Sequence, residues 1–163
     1  NSNENEILDI IERFSSRDIA VRFIEYMDVG TTNGWSLDDV VSASEIRDMI
    51  GDIERIIPEN NSDVAKRYKL PNGGEVGIIS SVTEPFCGDC TRARISSDGK
   101  LFTCLFSNNG LDLLSPIRTG HTDSHITDLI REHWNKRQDR YSEERSLNSS
   151  KTSERVEMSY IGG

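Results

Sequence analysis

The three cysteines of the chain stand as Cys87-Gly88-Asp89-Cys90 and, after thirteen intervening residues, Cys104. Three thiolates without a fourth suit an iron–sulfur cluster with one iron left open, and an open iron is where a substrate can bind. A structural zinc site takes four protein ligands and would have to recruit a histidine; His121 and His125 are the candidates. Free thiols that act only as small core residues are the third reading. Spacing alone leaves all three open.

Arg92 and Arg94 follow the first cysteine pair at alternate positions, with Ala93 between them. In an extended chain, alternation puts both guanidiniums on one face, where they form a fork for a phosphate or carboxylate. A pair of surface-strand arginines is an equally natural reading in isolation. Arg22 and Glu25 interrupt the apolar run Ile19 to Met27. Buried charges are rarely unpaired, so both are expected in salt bridges inside the fold or facing a ligand at the strand's carboxyl end. Met27, at that end, reads as core or as a surface for an adenine or sulfonium group.

These residues need elements to hold them. Asn3 to Phe14 has the period of an amphipathic helix, with Ile7, Leu8, Ile11 and Phe14 on one side. Ile19 to Met27 is expected to be a parallel strand buried on both faces. Helix followed by buried parallel strand is half of an α/β repeat, so the chain begins as though cut from a larger fold. Ser42 and Glu45 fit a capping box opening a helix whose apolar positions continue past Gly51 to Ile57, with Pro58 as its stop. Val64 to Leu70 and Glu75 to Val82 read as a hairpin about Pro71-Asn72-Gly73-Gly74. A second hairpin pairs Arg92 to Ser96 with Lys100 to Phe106, its tight turn returning Cys104 toward the strand that follows Cys90. Leu111 to Ile117 is expected to be a short helix, and a longer one capped by Thr122 or Ser124 carries Ile126, Leu129, Ile130, His133 and Trp134. Residues 138–154, charged and serine-rich, read as mobile.

At 163 residues the chain holds one domain, or a small domain plus a remnant. Its net charge of -9 and pI near 4.8 argue against a general nucleic-acid surface, so any anionic ligand must be caught by local cations. No apolar run approaches a membrane span and no export signal is visible. An odd cysteine count argues against a disulfide framework, and the expected compartment is the reducing cytoplasm.

Val21-Arg-Phe-Ile-Glu-Tyr-Met-Asp-Val-Gly30, Phe86-Cys-Gly-Asp-Cys-Thr-Arg-Ala-Arg94, Asp98-Gly-Lys-Leu-Phe-Thr-Cys-Leu-Phe106 and the terminal Met158-Ser-Tyr-Ile-Gly-Gly163 together resemble the GTP 3′,8-cyclase family, radical S-adenosylmethionine enzymes that begin molybdenum cofactor biosynthesis. The likeness runs through essentially the whole chain. It implies an α/β fold, α+β as a fragment: residues 1–34 as the last helix–strand unit of an incomplete (β/α) barrel, then residues 35–163 as a carboxyl-terminal domain of antiparallel sheet and helices. In the family one [4Fe-4S] cluster cleaves S-adenosylmethionine, and the resulting radical converts GTP to 3′,8-cyclo-7,8-dihydro-GTP. This step lies upstream of cyclic pyranopterin monophosphate synthase. A second, auxiliary [4Fe-4S] cluster held by three cysteines binds the guanine.

By the resemblance, Cys87, Cys90 and Cys104 are that cluster's ligands, and Arg92, Ala93 and Arg94 hold GTP. Met27 lines the S-adenosylmethionine site, while Arg22, Gly162 and Gly163 line the active site. The family's radical-generating Cys-x-x-x-Cys-x-x-Cys motif is absent here. The chain is therefore expected to be inactive alone, with the missing amino-terminal barrel as a partner and self-association through the exposed barrel surface giving a homodimer. A non-catalytic zinc-stabilised interaction module is the competing reading.

Overall fold

The computed structural model describes residues 3–15, 19–58, 63–148 and 156–161. The chain divides into two compact units, Asn1–Met27 with Trp35–Cys90, and Asp28–Gly34 with Thr91–Gly163. The architecture is α+β, with a mixed four-stranded sheet and an antiparallel three-stranded sheet. No helix among the described residues is long and apolar enough to cross a membrane.

In the first unit, α1 (Ile7–Ser15) follows a single 3-10 turn. Ile7 and Ile11, one turn apart, are buried, but Leu8 is 53% exposed, so the apolar stripe is narrower than expected. β1 (Val21–Ile24) runs parallel to β4 (Glu75–Ile79), Val21 opposite Val76 and Ile24 opposite Ile79. It is not buried on both faces. Val21 and Glu25 are buried and Phe23 half-buried, whereas Arg22, Ile24 and Tyr26 are exposed. The reason is position: β1 is an edge strand of the sheet order β1-β4-β3-β2, and only one of its faces is covered.

α2 (Ala43–Ile50) begins with the expected capping box: Ser42 Oγ accepts from the Glu45 amide at 3.2 Å, and Glu45 accepts from the Ser42 amide at 2.8 Å. Its end differs from expectation. Gly51 is the cap, at φ +83°, and the next apolar residues lead into β2 (Glu54–Arg55) instead of continuing the helix. β3 (Lys66–Lys69) and β4 form the expected hairpin, Tyr68 opposite Val76. Ile7, Ile11, Ala43, Ile46, Val76 and Ile78 meet in one core between the helices and the sheet. Each of these buried isoleucine and valine side chains contributes about 1.5–3 kcal/mol.

In the second unit, β5 (Arg94–Ile95), β6 (Lys100–Phe102) and β7 (Leu111–Asp112) form the antiparallel sheet, with Arg94 opposite Phe102. The segment expected as a helix at 111–117 thus opens as a strand, and α3 occupies Leu114–Arg118. α4 (Asp123–Asn135) is capped by Thr122, whose side chain accepts from the His125 amide. The charged stretch expected to be mobile contains α5 (Tyr141–Asn148). Two anchors one turn apart hold it: the Tyr141 hydroxyl donates to Asp28 at 2.6 Å, and Arg145 Nε donates to the same carboxylate at 3.0 Å. Tyr141 also stacks on Phe106 at 4.5 Å. Burial pushes the Asp28 carboxyl up, but the hydrogen bonds from Arg145 and Tyr141 outweigh it and hold the group below the usual carboxylate range.

Gly74 marks a close backbone approach in the first unit. A Cβ there would stand 2.6 Å from the Ser15 carbonyl oxygen, beside the 2.9 Å bond from Asn72 Nδ2 to Ser15 Oγ. Gly74→Ala is expected to destabilise the chain by about 1–3 kcal/mol, read as a lowered denaturation midpoint. An unchanged midpoint contradicts the packing of the hairpin turn on α1.

Candidate functional site

Cys87 opens a one-turn 3-10 helix, Cys87–Asp89, and the Cys90 amide donates to the Cys87 carbonyl at 3.3 Å. With three residues per turn, positions 87 and 90 fall on the same side of the turn. Both cysteines belong to the first unit, while Cys104, just past β6, belongs to the second, where its sulfur accepts from the Phe106 amide at 3.4 Å. None of the three is in a disulfide, and all are half-buried. Within neither unit do the described residues gather three cysteine, histidine or carboxylate side chains about one point. The donor chemistry nevertheless fits a soft metal centre: three reduced, partly accessible sulfurs, two on one turn and a third already accepting a backbone N–H.

Arg94 opens β5, and Arg92 precedes it. Burial alternates along this stretch: Arg92 and Arg94 are half-buried, and Thr91, Ala93 and Ile95 are exposed. The two guanidiniums therefore share a face although the regular strand covers only one of them. His121 and His125 lie exposed at the start of α4, ring centroids 4.5 Å apart. Met27 is half-buried at the end of the β1 segment, next to Tyr26, whose carbonyl accepts from Trp35 Nε1 at 2.7 Å. Gly162 and Gly163 lie outside the described residues.

The two charges of the β1 segment part company. Arg22 is exposed, its stem over Gly77, where a Cβ would stand only 3.2 Å from Arg22 Cγ. Glu25 is 2% exposed. The expected buried salt bridge is not what satisfies it. Its Oε1 accepts from the Ala43 amide at 2.7 Å and from the Thr83 hydroxyl, and its Oε2 accepts from the Val82 and Thr83 amides at 2.7 and 2.9 Å. The carboxylate thus ties the end of β1 to the start of α2 and to the loop that leads to Cys87. Next in that loop, Glu84 receives Arg47 at 2.8 Å and Lys66. Those hydrogen bonds, Arg47 first, lower its carboxyl to about 2. A carboxyl depressed in the folded state stabilises above the ordinary carboxylate range, so this clamp is lost only as pH falls toward 2.

Residues that sequence reasoning passed over anchor the segment before the terminal glycines. Glu157 accepts from the Thr31 amide at 2.8 Å, the Thr31 hydroxyl at 3.1 Å and the Thr32 hydroxyl at 3.2 Å. The Thr31 amide, followed by those hydroxyls, holds its carboxyl below the usual range. Tyr160 donates to Asp98 at 2.7 Å, and Lys100 stands 3.0 Å from the same carboxylate. The ring of Tyr160 meets Phe102 edge-on, and Ile161 is 1% exposed. Lys100, Phe102, Asn108, Glu157 and Tyr160 line a cavity of about 420 Å³ beneath this segment. The signal available in sequence was Gly30: at φ +72° a Cβ would stand 2.1 Å from Glu157 Oε2, so only glycine admits the carboxylate.

A family model described as Molybdenum Cofactor Synthesis C matches residues 19–143. Over 99% of its length the chain is 45% identical to a protein of Staphylococcus haemolyticus (strain JCSC1435), 42% to one of Xanthomonas campestris pv. campestris (strain B100) and 38% to one of Synechococcus sp. (strain CC9902). Each is named GTP 3′,8-cyclase, and the matched region is 49%, 48% and 48% of those proteins. The chain spans about half the length of the curated relatives it matches. Gly30→Ala is expected to speed amide exchange across 156–161 by about tenfold or more and to leave the β3–β4 hairpin unchanged, read by hydrogen-exchange mass spectrometry. Unchanged exchange contradicts the Glu157 anchor. The chain belongs to the molybdenum cofactor synthesis C family.

Proposed function

We propose that the chain is the GTP-binding, auxiliary-cluster portion of a GTP 3′,8-cyclase acting in molybdenum cofactor biosynthesis. The observation that carries this reading is the run from Cys87 to Arg94: two half-buried thiols at the two ends of one 3-10 turn, followed by two half-buried arginines on one face. Cys87, Cys90 and Cys104 would hold a [4Fe-4S] cluster. When bound, that group supplies an open iron that takes the guanine base. Arg92 and Arg94 bind the triphosphate as a bidentate fork, with Ala93 keeping the strand between them free of bulk. In a chain of charge -9, these local cations are what makes a polyanion welcome.

Conversion of GTP to 3′,8-cyclo-7,8-dihydro-GTP belongs to the whole enzyme, a lyase that draws its radical from S-adenosylmethionine at a second cluster. In that enzyme Met27 lines the S-adenosylmethionine site, and Arg22, Gly162 and Gly163 line the active site. Residues 1–34 form the last helix–strand unit of its barrel and residues 35–163 its carboxyl-terminal domain. The exposed face of β1, carrying Arg22, Ile24 and Tyr26, supports a barrel partner on that side. Homodimerisation, a cytoplasmic location and a product handed to cyclic pyranopterin monophosphate synthase complete the reading.

Anaerobic reconstitution is expected to give about four irons per chain, retained when His121 and His125 are both changed to Ala. Zinc at one per chain, lost in that double variant, overturns the cluster in favour of a zinc module. Arg92→Ala and Arg94→Ala are each expected to weaken GTP binding about 10- to 100-fold, measured by calorimetry, without loss of iron. Unchanged affinity in both removes the phosphate fork.

A further inference from the structure

We propose that Glu25 is a positioning residue for the Cys87–Cys90 turn, an inference that deepens the cluster reading and rests on it only for the identity of the bound group. A carboxylate buried to this degree is unfavourable unless donors replace its water. Glu25 takes four donors among the described residues, three of them backbone amides from two different elements. An apolar side chain would fill the same space with less desolvation cost. What the carboxylate adds is direction: each oxygen fixes where particular N–H groups must lie.

Two of those amides belong to Val82 and Thr83, and the cysteine turn begins four residues after Thr83. The intervening chain has little freedom. Ser80 Oγ donates to the Glu84 carbonyl at 3.2 Å, closing a loop whose Val82 and Thr83 amides both donate to Glu25. The Glu84 side chain is gripped by Arg47 and Lys66, and Pro85 follows with a fixed φ. Phe86 then enters the 3-10 turn. The Ala43 amide, on the other side of Glu25, is the first helical donor of α2, a group left without an intrahelical partner. α2 in turn carries Arg47. One carboxylate therefore sets both the loop and the helix whose arginine clamps it, and the loop delivers two of the three sulfurs.

Purely structural support would weaken the whole first unit when Glu25 is altered; a positioning role shows locally at the two thiols. The full chain is kept metal-free under reductant and pulsed with iodoacetamide, and alkylation is followed at each cysteine by mass spectrometry. Glu25→Gln and Thr83→Val are expected to raise the Cys87 and Cys90 rates about tenfold relative to Cys104 in the same molecule. Thr83→Ser, which keeps the hydroxyl donor, is expected to return them to the parent values. Rates that stay constant in Thr83→Val, or that rise equally at all three cysteines, overturn the proposal. Should Glu25→Gln fail to fold, the Thr83 pair decides alone. After anaerobic reconstitution, Thr83→Val is also expected to retain less iron than the parent. A parent chain that takes up no iron refutes the cluster reading while the alkylation rates still decide the role of Glu25.

Discussion

A carboxylate shut away from water must find donors, and in the first unit that requirement falls on Glu25. Its two oxygens collect the Ala43, Val82 and Thr83 amides and the Thr83 hydroxyl. Among the described residues β1 is a short edge strand paired with β4, and its outer face is open. Without a directional link, the loop after β4 would be free to leave from several angles. The carboxylate removes that freedom, and the Arg47–Glu84–Lys66 clamp removes most of what remains. A cluster ligand pair needs this kind of support, because its sulfurs must be held at fixed angles by backbone that cannot drift.

The second unit solves a similar problem with different groups. Its sheet is small, and much of its order comes from polar anchors on buried or glycine-lined sites. Asp28 receives Tyr141 and Arg145, which turns a strongly charged stretch into a helix. Glu157 caps the Gly30–Thr32 bend, and Tyr160 joins Asp98 and Lys100. These contacts hold 156–161 against the β5–β6 turn. A chain of this acidity spends several of its carboxylates on internal organisation.

Much of this was legible in the residues, and the failures have physical causes. The capping box at Ser42, both hairpins and the Thr122 helix were readable because their signals are local: a cap, a turn, a period. Gly51 was misread as a tolerated interior residue because the apolar positions beyond it keep helical spacing by coincidence; its positive φ ends the helix instead. β1 looked buried on both faces because its composition is that of a central parallel strand, and composition cannot tell a central strand from an edge. Glu25 was noticed as an anomaly, yet its partners lie 18 and about 57 residues away and are mostly amides, which no side-chain pattern records. α5 was missed for the same reason: the Asp28 that holds it is over a hundred residues upstream. At the site, residue types and spacing were readable, while the support behind them was not.

A buried carboxylate holds the loop that leads to the Cys87–Cys90 pair. Amide exchange resolved by nuclear magnetic resonance tests it most directly, because the three amides in question donate to a side chain and to no regular ladder. The account predicts that the Ala43, Val82 and Thr83 amides exchange about as slowly as those of β4, far more slowly than exposed loop amides. Exchange of Val82 and Thr83 at the rate of an open loop would contradict it.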